Sequence, residues 1–86
     1  MNEWSVYILQ CSDDTYYTGI TNDIEHRLKA HNSKTGARYT SQRLPVHYVY
    51  IKNGYTQSEA RKEEIVIKNW NREKKIKLIN KEFQRP

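Results

Sequence analysis

The sequence contains little of what would cross-link, anchor or subdivide a chain. Cys11 is the only cysteine among the 86 residues, which excludes an internal disulfide and a cysteine-rich zinc site. No stretch is apolar enough to span a membrane, and the N-terminus lacks the pattern of a signal peptide. Low-complexity segments, internal repeats and clear linkers are absent as well. We therefore expect a cytoplasmic protein that does not associate with a membrane.

The length suits one domain and leaves no room for a second. A chain of this size buries about 60–65% of its unfolded surface, so its core is small. We expect a single domain over residues 1–86, with its core at about 4–79 and a basic C-terminal helix and tail at about 72–86.

The excess of positive charge lies in the C-terminal half of the sequence. Residues 1–43 hold five Lys/Arg and five Asp/Glu, whereas residues 44–86 hold ten and five, which gives the net charge of +5. A one-sided basic segment indicates a polyanionic partner such as a nucleic-acid backbone, although an ordinary solvated helix has the same composition. The basic residues of the C-terminal run are Lys68, Arg72, Lys74, Lys75, Lys77, Lys81 and Arg85.

Two tyrosine-containing strands open the chain. Residues 4–10 and 16–20 are rich in β-branched and aromatic residues and predict a hairpin around the turn residues 12–14. Because side chains alternate along a strand, an odd loop such as Ser12-Asp13-Asp14 places Tyr7 and Tyr17 on the same face. A two-residue loop would place them on opposite faces.

The remaining pattern predicts helices around a third strand. A helix capped by Thr21 or Asn22 would stack Arg27 and His31, four residues apart, on one face. Residues 37–43 predict a loop or short helix, and residues 46–51 a strand that ends at 53–54. A helix capped by Thr56 or Ser58 runs to about 69, and a last helix covers about 72–80. The expected fold is α+β, with a small three-stranded, mainly antiparallel sheet flanked by helices.

These residue types suit the hydrolysis of a phosphodiester. That reaction needs a nucleophilic water, a group that removes its proton, and cations that stabilise the charged transition state. A tyrosine is an unusual base, because its reference pKa is about 10, and neighbouring cations must lower it. Tyrosine therefore points to this chemistry only when arginine and a carboxylate lie beside it.

Three segments resemble the GIY-YIG nuclease superfamily, and in particular its small stand-alone (YhbQ-like) type. They are Val6–Cys11, Tyr16–Asn22 and Gly36–Thr40, within a similarity that runs from about residue 4 to about 79. Ser5 and Val6 stand where the first motif has glycine and isoleucine, a change that a strand tolerates.

The resemblance implies a role for each of the tyrosine, arginine and histidine residues in these segments and in the helix that follows the hairpin. Tyr17 would be the base or would orient the attacking water, and Tyr7 would support the water network. Arg27 would hold the scissile phosphate with its planar, permanently charged fork. His31 would relay a proton. An isolated strand tyrosine or an exposed Arg–His pair is usually structural, so the inference depends on all of them occurring in this order.

A glutamate on the later helix would bind a divalent metal, Mg²⁺ or alternatively Mn²⁺. The helical wheel leaves Glu63 and Glu64 both open, because Glu63 points near the middle of the apolar face and Glu64 lies at its edge. The resemblance favours Glu64.

Further residues are candidates for contact with nucleic acid, through phosphate contacts, base stacking or the basic run. The resemblance implies an asparagine shortly after the metal-binding helix. Asn69 is an alternative to Asn71, because both lie in that region. The candidates are Arg38, Tyr39, Arg43, Lys68, Asn71 and Arg72.

The expected function is metal-dependent, structure-guided or unspecific cleavage of DNA, at branched or nicked sites and in repair or recombination. The alternatives are a catalytically silent nucleic-acid-binding module and a subunit that depends on a larger protein partner.

Overall fold

A single strand, buried on both faces, organises the fold. In the computed structural model, which describes residues 3–33 and 38–80, β1 (Trp4–Gln10) is the centre of a sheet of order β2-β1-β3. The edge strands β2 (Tyr16–Thr21) and β3 (His47–Tyr55) both pair antiparallel with β1. The helices are α1 (Ile24–Asn32), α2 (Arg38–Ser41), α3 (Gln57–Lys68) and α4 (Arg72–Ile79). The expected three-stranded α+β fold is confirmed.

The turn between β1 and β2 has an odd number of residues. The Cys11 amide donates to the Thr15 carbonyl at 2.9 Å, and the Asp14 amide donates to the Cys11 carbonyl at 3.0 Å. Asp14 adopts φ 67°, a left-handed conformation that Asp tolerates in turns. The resulting register pairs Leu9 with Tyr17, so Tyr7 and Tyr17 lie on the same face of the sheet, as predicted.

Each face of the sheet carries its own apolar cluster. Helices α3 and α4 cover one face, where Val6 and Ile8 pack with Ala60, Ile67 and Leu78. The opposite face carries Tyr7 and Tyr17, and Leu28 of α1 packs there. The buried members of this second cluster are Tyr7, Leu9, Cys11 and Val46. Within residues 3–33 and 38–80, no helix has the length and apolarity to cross a membrane.

Two predicted boundaries were wrong for local reasons. Asp23, not Thr21 or Asn22, caps α1, because its side chain accepts from the His26 amide at 3.0 Å. The Thr21 hydroxyl instead accepts from the amide of Asp23 itself. Strand β3 continues to residue 55, because Gly54 at φ 95° forms a bulge against β1 instead of ending the strand. Thr56 caps α3 in a capping box, as predicted.

Candidate active site

The Tyr7 hydroxyl is the meeting point of the sheet and α1. Tyr7 is 1% exposed, and its hydroxyl lies 3.1 Å from His31 Nε2. The Arg27 Nε donates to the same oxygen over a longer 3.4 Å. Arg27 and His31 reach this point together because they lie one turn apart on α1. The structure therefore brings three of the predicted catalytic side chains into one hydrogen-bonded group.

His31 is fully buried and neutral. Its Nδ1 lies 2.7 Å from the Thr40 hydroxyl, so both ring nitrogens have partners. Burial, and secondarily the charge of Arg27, lowers the His31 pKa from 6.5 to about 4. Burial also raises the Tyr7 pKa, an effect that the hydrogen bond from Arg27 partly offsets. At neutral pH Tyr7 therefore keeps its proton and His31 carries no charge.

Gly19 makes room for the Tyr7 side chain. The two residues are cross-strand partners, and a Cβ at position 19 would lie 2.5 Å from the Tyr7 hydroxyl oxygen and 2.6 Å from its ring Cζ. Carbon atoms do not approach each other this closely without displacement. The glycine of the second motif is thus required by the tyrosine of the first.

Tyr17 lies beside this group and is more accessible to solvent. It is half-buried, and its ring makes an edge contact with the His31 ring at a centroid distance of 5.5 Å. The Tyr39 ring stacks on it at 6.0 Å, and the Lys68 Nζ lies 5.8 Å from its centroid. Aromatic contacts therefore hold the Tyr17 ring in place.

The adjacent glutamates Glu63 and Glu64 of α3 face opposite edges of the sheet. Glu64, 8% exposed, contacts Lys68 Nζ at 3.4 Å, and Lys68 in turn reaches the Tyr17 ring on the β2 edge. Glu63 instead accepts from the Tyr55 hydroxyl of β3 at 3.3 Å. The structure thus puts Glu64, and not Glu63, on the side of the tyrosines. Glu64 also adds to the negative surroundings that raise the Tyr7 pKa.

The helical wheel, which left Glu63 and Glu64 both open, includes an apolar residue that is not buried in the structure. Val66 is 39% exposed, whereas Ala60, Glu64 and Ile67 are the buried residues of α3. The buried face is therefore centred nearer to Glu64 than the sequence indicated.

Tyr39 and Arg43 form an internal contact. The Arg43 guanidinium lies 3.9 Å from the Tyr39 ring centroid, donates to the Tyr39 carbonyl at 2.8 Å and pairs with Asp13 at 3.1 Å. Arg43 and Tyr17 thus both contact the Tyr39 ring. A nucleic-acid base that stacked on Tyr39 would compete with these contacts.

Other predicted nucleic-acid contacts are also engaged within the protein. The Asn71 side chain caps α4 by accepting from the Lys74 amide at 2.9 Å. Arg72 donates to the Asp14 carbonyl at 2.7 Å and lies 4.5 Å from the Tyr16 ring, which ties α4 to the hairpin turn. Arg38 is exposed at the start of α2. Gly36, the first residue of the third resembling segment, lies outside the described residues.

A metal ion would have one protein carboxylate at this site. No cluster of three or more potential metal ligands occurs among the described residues. A hard divalent ion that retains several waters fits one carboxylate together with substrate oxygens. The oxygens of Glu64 are paired with Lys68 and with Arg61 at 3.7 Å. Both cations are substantially exposed, and such pairs contribute little free energy, so an ion can displace them at modest cost.

This arrangement of tyrosines, arginine, histidine and glutamate coincides with a family match over most of the chain. The family model described as the GIY-YIG catalytic domain matches residues 3–77. The chain belongs to the GIY-YIG family. Membership suggests nuclease activity and implies a nucleic-acid substrate, and GIY-YIG nucleases generally use divalent metals.

Similar proteins are small GIY-YIG chains of comparable length. A UPF0213 protein of Staphylococcus aureus (strain Mu3) is 47% identical over 79 residues, which cover 92% of this chain and 96% of the relative. The NMR structure of a UPF0213 protein from Bacillus halodurans is 40% identical with a TM-score of 0.59, covering 93% of this chain and 84% of that one. An NMR structure of an E. faecalis protein is 35% identical, also with a TM-score of 0.59, covering 100% and 98%.

Gly19→Ala tests the fit between the two motifs. Since the new methyl group would overlap the Tyr7 hydroxyl, we expect a loss of about 1–3 kcal/mol in the free energy of unfolding, measured by urea denaturation. In a Tyr7→Leu background, whose side chain is shorter, the same substitution should cost less. Strictly additive losses would contradict the proposed contact.

His31 predicts a specific dependence of stability on pH. Its folded pKa of about 4 lies below the ordinary value of 6.5, so the unfolded chain binds more protons in that window. Stability is fully present above about pH 6.5 and is lost as the pH falls towards 4, by about 3 kcal/mol in all. Urea denaturation at pH 7 and pH 5 should show about 2 kcal/mol of extra loss in the wild type compared with His31→Gln. Equal losses of stability in both proteins would show that His31 is not the source of the pH dependence.

Proposed function

We propose that the protein is a metal-dependent endonuclease that cleaves DNA phosphodiester bonds by attack of water. The supporting observation is the hydrogen-bonded group of Tyr7, His31 and Arg27, with Tyr17 beside it and Glu64 on the same edge. These residues supply the hydroxyl, cationic and carboxylate groups that phosphodiester hydrolysis requires.

Arg27 is the residue that would hold the scissile phosphate. Its Nε is directed to the Tyr7 hydroxyl and its guanidinium also hydrogen-bonds Tyr17, so the N–H groups that remain on the half-buried fork would meet the phosphate. The hydrogen bond with Tyr7 raises the Arg27 pKa, so the charge is retained at every relevant pH. Tyr7 fixes the orientation of the guanidinium before the substrate binds.

The two tyrosines would have different roles. Tyr7 is buried, keeps its proton and is held between Arg27 and His31, so it acts by position. Tyr17 is half-buried and more exposed than Tyr7, so its hydroxyl is the one that would orient the attacking water or accept its proton. His31, neutral and in contact with both rings, would support this proton network.

Glu64 would hold the metal, Mg²⁺ or Mn²⁺. When bound, the ion would neutralise charge on the phosphate and lower the pKa of a coordinated water. Lys68 would then be released from Glu64 and would be free to contact a substrate phosphate.

The proposed substrate is DNA with a branch or a nick, and the proposed setting is DNA repair or recombination. The net charge of +5 supports salt-sensitive binding to the backbone. Arg43 and Arg72 are engaged within the protein, so Arg38 and Lys68 carry the proposed phosphate contacts. No contact with a base edge is part of the proposal, and recognition would therefore follow the shape of the DNA.

One observation favours a second candidate function. Two cations already neutralise Glu64, an arrangement that suits a nucleic-acid-binding module without catalysis or a subunit completed by a larger protein partner. Such a protein would bind DNA in a salt-sensitive way in the absence of any divalent ion and would not cleave it.

Cleavage of plasmid, nicked, flapped and four-way-branched DNA with Mg²⁺ or Mn²⁺ tests the proposal. We expect Glu64→Gln and Tyr17→Phe each to reduce the cleavage rate about 100-fold or more, because each removes a group placed at the reacting atoms. Glu63→Gln is the matched control, since its carboxylate faces Tyr55 on the opposite edge, and it should cleave like the wild type.

The controls separate the two candidate functions. Cleavage that persists in both site variants would reveal a contaminating nuclease. Binding without cleavage by the wild type, unchanged in Glu64→Gln and insensitive to chelation, would favour the silent module or the partner-dependent subunit.

A further inference from the structure

Thr40 is buried at a place where no apolar side chain would be equivalent. Helix α2 has four residues, and Thr40 is its buried residue, with 0% exposure. Its hydroxyl lies 2.7 Å from His31 Nδ1, while Tyr39, the preceding residue, stacks on Tyr17. The short helix therefore contacts both the buried imidazole and the accessible tyrosine of the candidate site.

Both nitrogens of His31 are buried, and the ring carries one proton. Arginine can only donate, so the Tyr7 oxygen accepts from Arg27. The Tyr7 proton then needs an acceptor, and among the described contacts of this hydroxyl His31 Nε2 is the group that can accept it. This arrangement leaves the ring proton on Nδ1, where it is donated to the Thr40 hydroxyl oxygen.

The opposite arrangement would strand a buried proton. If His31 carried its proton on Nε2, the Tyr7 oxygen would accept from both His31 and Arg27, and its own proton would have no acceptor among those contacts. Leaving a buried donor unsatisfied disfavours a state by roughly tenfold or more. The geometry thus selects one tautomer.

We propose that Thr40 is a positioning residue that accepts the Nδ1 proton of His31 and so stabilises the tautomer that Tyr7 and Arg27 require, in which Nε2 accepts the hydrogen bond from Tyr7. Thr40 contacts neither water nor phosphate in this scheme, and it acts through His31 and Tyr7 on Arg27. Its consequence for catalysis rests on the proposed nuclease function, whereas its effect on the tautomer does not.

The test is ¹⁵N NMR of the His31 ring, which distinguishes the protonated from the non-protonated nitrogen. His31→Gln assigns the signals among the three histidines. In the wild type at pH 7 we expect a protonated Nδ1 and a non-protonated Nε2. Thr40→Ser should preserve this pattern, whereas Thr40→Ala should move the proton to Nε2 or give a mixture. Both variants lose the methyl group, so the hydroxyl is the difference between them.

Cleavage measurements on the same proteins supply the second readout. We expect kcat of Thr40→Ala to fall about 10–100-fold below that of Thr40→Ser with KM unchanged, as for outer partners that orient metal-bound histidines. A wild-type ring protonated on Nε2, or an Nδ1-protonated ring in folded Thr40→Ala, would overturn the proposal. If Thr40→Ala does not fold, Thr40→Val, which keeps the shape of threonine but lacks the hydroxyl, takes its place with the same expected result.

The two proposals fail in different ways. An absence of cleavage by the wild type, together with the expected change of tautomer, would refute the nuclease and leave the role of Thr40 supported. A normal kcat in a Thr40→Ala protein whose tautomer has changed would refute the link from Thr40 to catalysis.

Discussion

The buried hydrogen bond between Tyr7 and His31 is the constraint on which the arrangement of the other site residues depends. A phenol and an imidazole without access to water each need partners, because an unsatisfied buried polar group costs about 1–3 kcal/mol. The imidazole finds its second partner in Thr40, which requires α2 to dock on α1. The phenol needs space above β2, which requires glycine at position 19. The relative positions of β1, β2, α1 and α2 therefore all depend on this one hydrogen-bonded pair.

The sequence predicted those parts of the site that local geometry determines. The position of Tyr7 and Tyr17 on one face follows from the alternation of side chains and an odd turn, and that of Arg27 and His31 on one side of α1 follows from the helical period. The choice between Glu63 and Glu64 depends instead on where α3 lies across the sheet. Neighbouring residues on a helix point about 100° apart, so the orientation of α3 about its own axis decides which glutamate faces the tyrosines.

The same distinction applies to the basic residues that have contacts within the protein. Composition gives the sign of a charge but not its acceptor. Arg72 donates to a carbonyl of the hairpin turn, and Arg43 pairs with a carboxylate of that turn, contacts that join positions 58 and 30 residues apart. Thr40 was missed for a related reason. A threonine in a basic, polar segment gives no local sign that its hydroxyl meets a buried histidine on another helix.

The charge around Glu64 bears on the order in which ligands can bind. Arg61 and Lys68 pair with Glu64, the proposed metal ligand, so a divalent cation arriving alone would meet a locally positive field. A phosphate reverses this balance, because it brings negative charge and additional oxygen ligands to the same place. Under the proposed function, the metal and the phosphodiester would therefore bind cooperatively, each strengthening the affinity for the other by the same factor. The pairing of Glu64 with Arg61 and Lys68 would then describe the state without substrate, and substrate binding would release it.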